Sequence, residues 1–326
     1  LRDIVRGEDE QIDAIVSVIA TVQPDILVLQ NFDYDYENAA LAALASRFGA
    51  ANVTYPHLFS LRPNTGMPTG LDMDGDGRYG GPRDAQGYGS FSGQGGMAIL
   101  SRFPFVAHDV LDMSGLLWRD VPNAQLPNID GRPFPSEQAQ MVQRLSSTGH
   151  WFVPVSIRAD LTLDMLTWYA TPPVFDGVED RNGKRNHDES AFWLRYLEGV
   201  FEWSPPEHSF VLVGGANLDV YDGEGRPAAL RALLSHPLLQ DVSPQSDGGT
   251  HYARADGGVN LSHVGNPALD TANWPDGPEG PGNLRVDYIL PSVDLNVAGS
   301  GVYWPIDDDT VATASRHRLV WVDLTL

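Results

Sequence analysis

Pro24-Asp25-Ile26-Leu27-Val28-Leu29-Gln30-Asn31 reads as a helix stop followed by a buried strand that ends on two amides. Four successive apolar residues between a Pro-Asp breaker and a polar pair are the pattern of a short strand covered on both faces. Upstream, Ile12, Ile15, Val16, Ile19 and Val22 recur at helical spacing over residues 8–22. Glu8, Asp9 and Glu10 stand at the end of that helix where its dipole favours negative charge. Downstream, residues 37–48 carry the next helix, so the strand is flanked by helices on both sides in the chain.

The same reading extends outward. Residues 62–96 form a long Gly/Pro-rich stretch, which inside a compact domain marks a functional loop or an ordered excursion. Met97-Ala98-Ile99-Leu100 resumes as a strand, and Phe105 to Val110 is expected to pair with it. Residues 114–150 are irregular. Phe152 to Arg158 and Leu161 to Tyr169 form a hairpin about the polar turn Ala159-Asp160. A helix over 187–202 precedes the buried strand Phe210-Val211-Leu212-Val213, and another covers 226–235. Val286 to Leu290 and Arg318 to Leu324 are the last strands. Short strands interleaved with helices and hairpins predict an α/β fold of four layers, two packed mixed sheets flanked by helices. No repeat or linker divides the chain, so residues 1–326 are expected to form a single domain.

Composition excludes several classes. No apolar run approaches the ~18 residues that span a bilayer. Leu1-Arg2-Asp3-Ile4 has no apolar segment behind it, so no signal peptide is read here; periplasmic and extracellular settings stay open. Cysteine is absent, which removes disulfides, thiolate metal sites and cysteine nucleophiles. A net charge of −22 repels polyanions at long range, so duplex nucleic acid is disfavoured as a partner.

Five segments, in order and spanning nearly the whole chain, carry a family resemblance. They are Pro24 to Asn31, Leu166 to Pro173, Val213-Gly214-Gly215-Ala216-Asn217, Arg285-Val286-Asp287-Tyr288-Ile289-Leu290 and Ser315-Arg316-His317. Together they resemble the endonuclease/exonuclease/phosphatase superfamily of metal-dependent phosphoesterases, with its Pro-Asp-Ile-x-x-x-Gln-Glu, strand-end His, Gly-Asp-x-Asn, Arg-x-Asp-Tyr-Ile and Ser-Asp-His motifs. Thr171-Pro172-Pro173-Val174-Phe175-Asp176-Gly177 and Arg181-Asn182-Gly183 are similar to a bacterial branch of it.

That resemblance implies a cleft where a divalent cation, Mg²⁺ or Mn²⁺, acts as Lewis acid on a small or exposed phosphoester or another anionic ligand. Asn217, Asp287 and His317 match the motifs, whereas the superfamily's first-strand Asn would lie before Leu1. Four positions do not match: Asn31 stands for the metal-binding Glu, Tyr169 for the first His, Gly215 for an Asp and Arg316 for the Asp of the last motif. Losing one such group lowers rates by ~10²–10⁴, and groups that act as a unit do not add. Two readings follow. In one, the cleft is rebuilt, with Asp33, Asp35 or Asp219 moving in as ligands. In the other, the chain is a non-catalytic pseudoenzyme or binding protein, natural or altered; separately, His317 between Arg316 and Arg318 is either an anion-binding corner or a hydrogen-bonded structural residue.

Asp72-Met73-Asp74-Gly75-Asp76-Gly77 is a second signal. Alternate acids followed by glycine match the first half of a Ca²⁺ loop, where oxygens wrap a hard cation. Its twelfth position is Arg83 and Asp84 comes one residue late, so the alternatives are an irregular Ca²⁺ site on Asp72, Asp74 and Asp76 or a solvated acidic turn. Gly93-Gln94-Gly95-Gly96 is a turn, and Asn186-His187-Asp188-Glu189 resembles a helix start with acids in its first turn. Trp168, Trp193, Trp274 and Trp304 are expected in the core or the cleft wall.

Overall fold

The computed structural model describes residues 1–277 and 280–326. Helices α1 (Arg2–Arg6) and α2 (Glu10–Val22) lead into strand β1 (Ile26–Phe32), followed by α3 (Ala39–Ala50), β2 (His57–Phe59) and β3 (Gly96–Ser101). Next come β4 (Leu111–Asp112), the ribbon β5 (Asn128–Ile129) and β6 (Arg132–Pro133), and α4 (Glu137–Val142). The hairpin β7 (His150–Arg158) and β8 (Leu161–Tyr169) precedes α5 (Arg181–Leu197), β9 (Phe210–Gly215), α6 (Ala228–Leu234) and α7 (Asp247–Asp256). The chain closes with β10 (Ala272–Asn273), β11 (Asn283–Leu284), β12 (Asp287–Pro291), β13 (Asn296–Tyr303), α8 (Thr310–Ala314) and β14 (Leu319–Thr325).

Helix α2 forms for the reasons its sequence gives. The Asp9 carboxylate accepts the Ile12 N–H at 3.1 Å as N-cap, and Gln23 ends the helix with φ 54°. Its apolar stripe, with Ile12, Ile15 and Ile19, packs with Leu41, Leu44 and Phe48 of α3 against Leu27, Ala98 and Leu100 of the first sheet. Burying Leu41 or Phe48 stabilises the fold by roughly 1.5–3 kcal/mol each.

The first sheet has the order β1-β3-β2 and is antiparallel throughout; β13 and β14 form a separate antiparallel pair. The second sheet has the order β12-β9-β8-β7-β4 and is mixed, because β8 and β9 run parallel. Met97, Ile99 and Val28 from one sheet meet Val153, Val155 and Val211 from the other. On the outer face of the second sheet, Phe192, Trp193 and Tyr196 of α5 and Leu230 of α6 pack over Leu166, Trp168, Leu212 and Leu290. The fold is therefore α/β with helices flanking sheets, and among the described residues one sheet is mixed. No described helix is long and apolar enough to cross a membrane.

Some expectations are corrected. Phe105 does not pair with β3, whose two edges are already taken by β1 and β2; it bridges Val155, and residues 107–109 turn as a short 3₁₀ helix. The stretch 114–150 is not wholly irregular, since it contains α4. Helix α5 starts six residues before the expected 187 and stops at Leu197. Gly199, at φ 70°, turns the chain there with its N–H on the Tyr196 carbonyl. Phe201 then stacks back on Phe192 at 4.9 Å, which is why the apolar periodicity outlasts the helix.

Candidate functional site

Strand register sets one row of the predicted residues side by side. Tyr169 at the end of β8 pairs with Gly215 at the end of β9, and Gly215 pairs with Asp287 at the start of β12. His317 reaches the end of that row because the segment before β14 docks on β10: Ala272 bridges His317, and the Asn273 N–H bonds the Arg316 carbonyl at 3.2 Å.

His317 and Asp287 form a tight pair. The imidazole Nδ1 lies 2.8 Å from Asp287 Oδ2 and 3.1 Å from Oδ1. Thr271 Oγ1 donates to Asp287 Oδ2 at 2.9 Å, and the Trp274 ring stands edge-on to His317 at 5.3 Å. Burial pushes the imidazole toward neutrality, but the Asp287 charge and hydrogen bond outweigh it and hold the His317 pKa above its usual 6.5. The charges of Arg316 and Arg318 oppose that protonation. Arg316 is exposed. Arg318 leaves the expected corner altogether: its guanidinium lies 4.6 Å over the Trp304 ring and donates to the Val311 and Ser315 carbonyls.

The other end of the row is filled. A Cβ placed on Gly215 would lie 2.6 Å from Gln30 Oε1 and 2.9 and 3.0 Å from Tyr169 Cδ2 and Cε2. The ring and the amide thus occupy the volume into which any side chain at 215 would project. Gln30 Nε2 donates to the Trp168 carbonyl at 3.0 Å, tying β1 to the second sheet at this point. Burial pushes the Tyr169 phenol above its usual 10, Asn217 lowers it and the Asp287 charge raises it further, so the ring stays neutral. Asn217, at φ 49°, donates Nδ2 to the Ala170 carbonyl at 2.7 Å. Tyr169 and Gly215 form one steric unit.

Helix α5 holds these strand ends from behind. Asn186 to Glu189 are mid-helix and not a helix start, and Asn186, Asp188 and Glu189 are fully buried. Asn186 Nδ2 donates to the Thr171 carbonyl at 2.7 Å and the Ala216 carbonyl at 2.6 Å, stapling the ends of β8 and β9 together. Glu189 accepts the Thr171 N–H at 2.8 Å and the Ser147 N–H at 2.6 Å. His187 Nδ1 sits 2.9 Å from Asp188 Oδ1. Polar residues on the inward face hid this helix start from a hydrophobic pattern; the close approach of Asp180 to Gly183, 2.0 Å from a would-be Cβ, explains the glycine there.

A model of the Endonuclease/Exonuclease/phosphatase family matches residues 5–317. The chain belongs to that family. Among solved structures it is similar to an endonuclease/exonuclease/phosphatase from Beutenbergia cavernae, at 18% identity and a TM-score of 0.56 over 98% of this chain and 66% of that one. It is also similar to an endonuclease/exonuclease/phosphatase family protein from Leptotrichia buccalis (16% identity, TM-score 0.51, 97% of this chain and 93% of that one). An AP endonuclease from Archaeoglobus fulgidus is similar at 12% identity, with a TM-score of 0.52 over 97% of this chain and 95% of that one. At these identities the likeness is one of fold. The chain spans 66% of the length of the Beutenbergia protein. No curated protein matches it.

Members of the family generally use a divalent metal. Asn31, at φ 56° in the bulge of β1, offers only a neutral amide, 2.7 Å from where a Cβ on Gly95 would stand. Asp33 accepts the Gly95 N–H at 2.9 Å. Asp35 caps α3, accepting the N–H groups of Ala39 and Ala40 at 2.7 and 2.9 Å. Asp219 is buried and accepts the Tyr221 and Arg285 N–H groups at 2.7 and 2.8 Å. Among the described residues, no three carboxylate or imidazole ligand atoms converge around Asn31, Tyr169, Gly215, Asp287 and His317.

They do converge elsewhere. Ligand atoms of Asp72, Asp74 and Asp84 lie within 4.8 Å of one another. Asp84 takes the place expected for Asp76, whose Oδ1 instead accepts the Arg78 N–H at 2.7 Å. Asp84 is buried and accepts the Met73 and Gly81 N–H groups, each at 2.8 Å, which folds the loop back on itself. Burial and the charges of Asp76, Asp84 and Asp72 push the Asp74 carboxyl up, although the Asp76 N–H lowers it. Arg181 donates to the Met73 carbonyl beside this set.

Proposed function

We propose that this member of the family binds a small phosphoester-type anion in its cleft and has lost most of the hydrolytic power of its relatives. The observation that carries the reading is the Tyr169 ring and Gln30 amide standing over Gly215 beside an intact Asp287–His317 pair. His317 is the ligand group: Asp287 holds Nδ1 and favours the imidazolium, while Nε2 has no partner among the described residues. Exposed Arg316 adds a second positive charge. In a chain of net charge −22, such a local corner suits a small or exposed anion rather than duplex DNA. The retained pair also favours a second reading, slow hydrolysis with His317 as the charged group beside the phosphoryl oxygens.

Titration calorimetry with inorganic phosphate and p-nitrophenyl phosphate separates these readings. Binding should weaken about tenfold or more in His317→Ala, the loss of a charge-assisted hydrogen bond. Turnover of p-nitrophenyl phosphate with Mg²⁺ or Mn²⁺ should stay near background. Absence of binding, or binding indifferent to His317, sinks the proposal; EDTA-sensitive release of nitrophenol at ordinary enzymatic rates establishes the hydrolase instead.

We infer in addition that Asp72, Asp74 and Asp84 take Ca²⁺ as a structural ion, because three acidic oxygens meet there in a backbone-wrapped loop. EDTA should lower the melting temperature, and Asp74→Ala should abolish the difference. A melting temperature blind to EDTA refutes this site.

A further inference from the structure

Trp274 is the aromatic neighbour of His317. The two ring centroids lie 5.3 Å apart with their planes at 79°. Near-perpendicular rings meet edge to face, so the imidazole covers at most one face of the indole. The indole also packs on Ala272, Leu284 and Val286. It is nevertheless only half-buried, whereas Trp151, Trp168 and Trp193 are sealed in the core. Its N–H donates to no described residue. The strand pair β10–β11 fixes its place: the Trp274 N–H of the backbone bonds the Gly282 carbonyl at 3.1 Å, and the Asn273 N–H bonds the Arg316 carbonyl at 3.2 Å. One short segment therefore carries the indole and docks the chain that presents Arg316 and His317.

An ester held at His317 has two directions along the row for its alcohol half. Toward Gly215, the Tyr169 ring and the Gln30 amide already occupy the space. Toward Trp274, it meets a flat, partly exposed indole. We propose that Trp274 sets the specificity of the cleft, stacking on a flat aromatic ring in the alcohol half of a phosphoester whose phosphate sits on His317. The assignment rests on the reading of His317 as the anion ligand, and it adds the substrate class, an aryl phosphoester. A phenyl ring moved from water on to the indole removes apolar surface of both from solvent and gains aromatic contact. A polyol such as glycerol stays hydrated and gains neither. Trp274 is thus a specificity residue, with the phosphate left to His317 and Arg316.

Titration calorimetry of the full chain at about pH 6, where His317 is largely charged, compares phenyl phosphate with glycerol phosphate. Phenyl phosphate should bind roughly fivefold or more tightly. Trp274→Leu, which keeps an apolar neighbour for His317 but no flat face, should bring the two esters level. Trp274→Phe should keep part of the preference. In the unsubstituted chain the Trp274 indole N–H resonance, assigned by its loss in Trp274→Phe, should move further with phenyl phosphate than with glycerol phosphate. That measurement decides if Trp274→Leu does not fold, and equal movement with both esters overturns the role of Trp274. Equal affinities in the parent, or a preference that survives Trp274→Leu, overturn it too. If inorganic phosphate then still binds through His317, only the role of Trp274 falls; if neither ester nor inorganic phosphate binds, the anion site falls with it.

Discussion

The two ends of the row formed by Tyr169, Gly215, Asp287 and His317 differ in chemistry on one backbone. At the Asp287 end, carboxylate, imidazole and the supporting Thr271 hydroxyl keep hydrogen-bond geometry, and the pair favours positive charge on His317. At the Gly215 end, a neutral phenol ring and a neutral amide fill the space between the sheets. The strand register joining them is unbroken. The difference teaches that one strand row can carry a charged pair at one end and close neutral packing at the other without a break in the scaffold. A single larger side chain introduced at the filled end should therefore be poorly tolerated.

The largest expected effect follows from that statement. Gly215→Asp alone should destabilise the protein by about 2–4 kcal/mol in urea unfolding, because its side chain has to enter occupied volume and be desolvated. Combined with Tyr169→His, part of the loss should return, with a coupling of about 1 kcal/mol or more. Strict additivity of the two would break the claim that they form one steric unit. Adding Arg316→Asp then tests whether the restored row regains phosphoesterase activity.

The charged end is probed by NMR titration of His317. Its folded pKa lies above 6.5, so the stability it contributes is fully present below 6.5 and is lost as pH rises through the folded value. Asp287→Asn should bring the titration below 6.5, because burial and the two arginine charges then act unopposed. Arg316→Ala should give the smallest change, a slight further rise, since the Arg316 charge opposes protonation. A His317 pKa unmoved by Asp287→Asn would mean that the pair is not what sets its charge.

Much of the frame was legible in the sequence. The apolar run Ile26 to Leu29, the stripe Ile12 to Ile19 and the hairpin around Ala159-Asp160 are local patterns, and each appears with its boundaries moved by only a few residues. That Tyr169, Gly215, Asp287 and His317 fall in one row was legible because motif order tracks strand order. The start of helix α5 is hidden from the pattern because Arg185, Asn186, Asp188 and Glu189 are polar yet buried, hydrogen-bonded to backbone groups distant in the chain. Pattern reading assigns such residues to solvent. The role of Asp84 was hidden for a related reason: its place in the acidic loop depends on a fold-back, not on the spacing from Asp72.

The sequence by itself determined the α/β fold and the family, since periodicity and motif order are properties of the chain alone. Only the tertiary structure decided which of those residues act on one another. Gln30 and Tyr169 meet over Gly215, and Arg318 turns to Trp304 while Arg316 stays in solvent. The physical reason is that sterics, burial and Coulomb interactions act over distances in space, and the packing of the two sheets sets those distances.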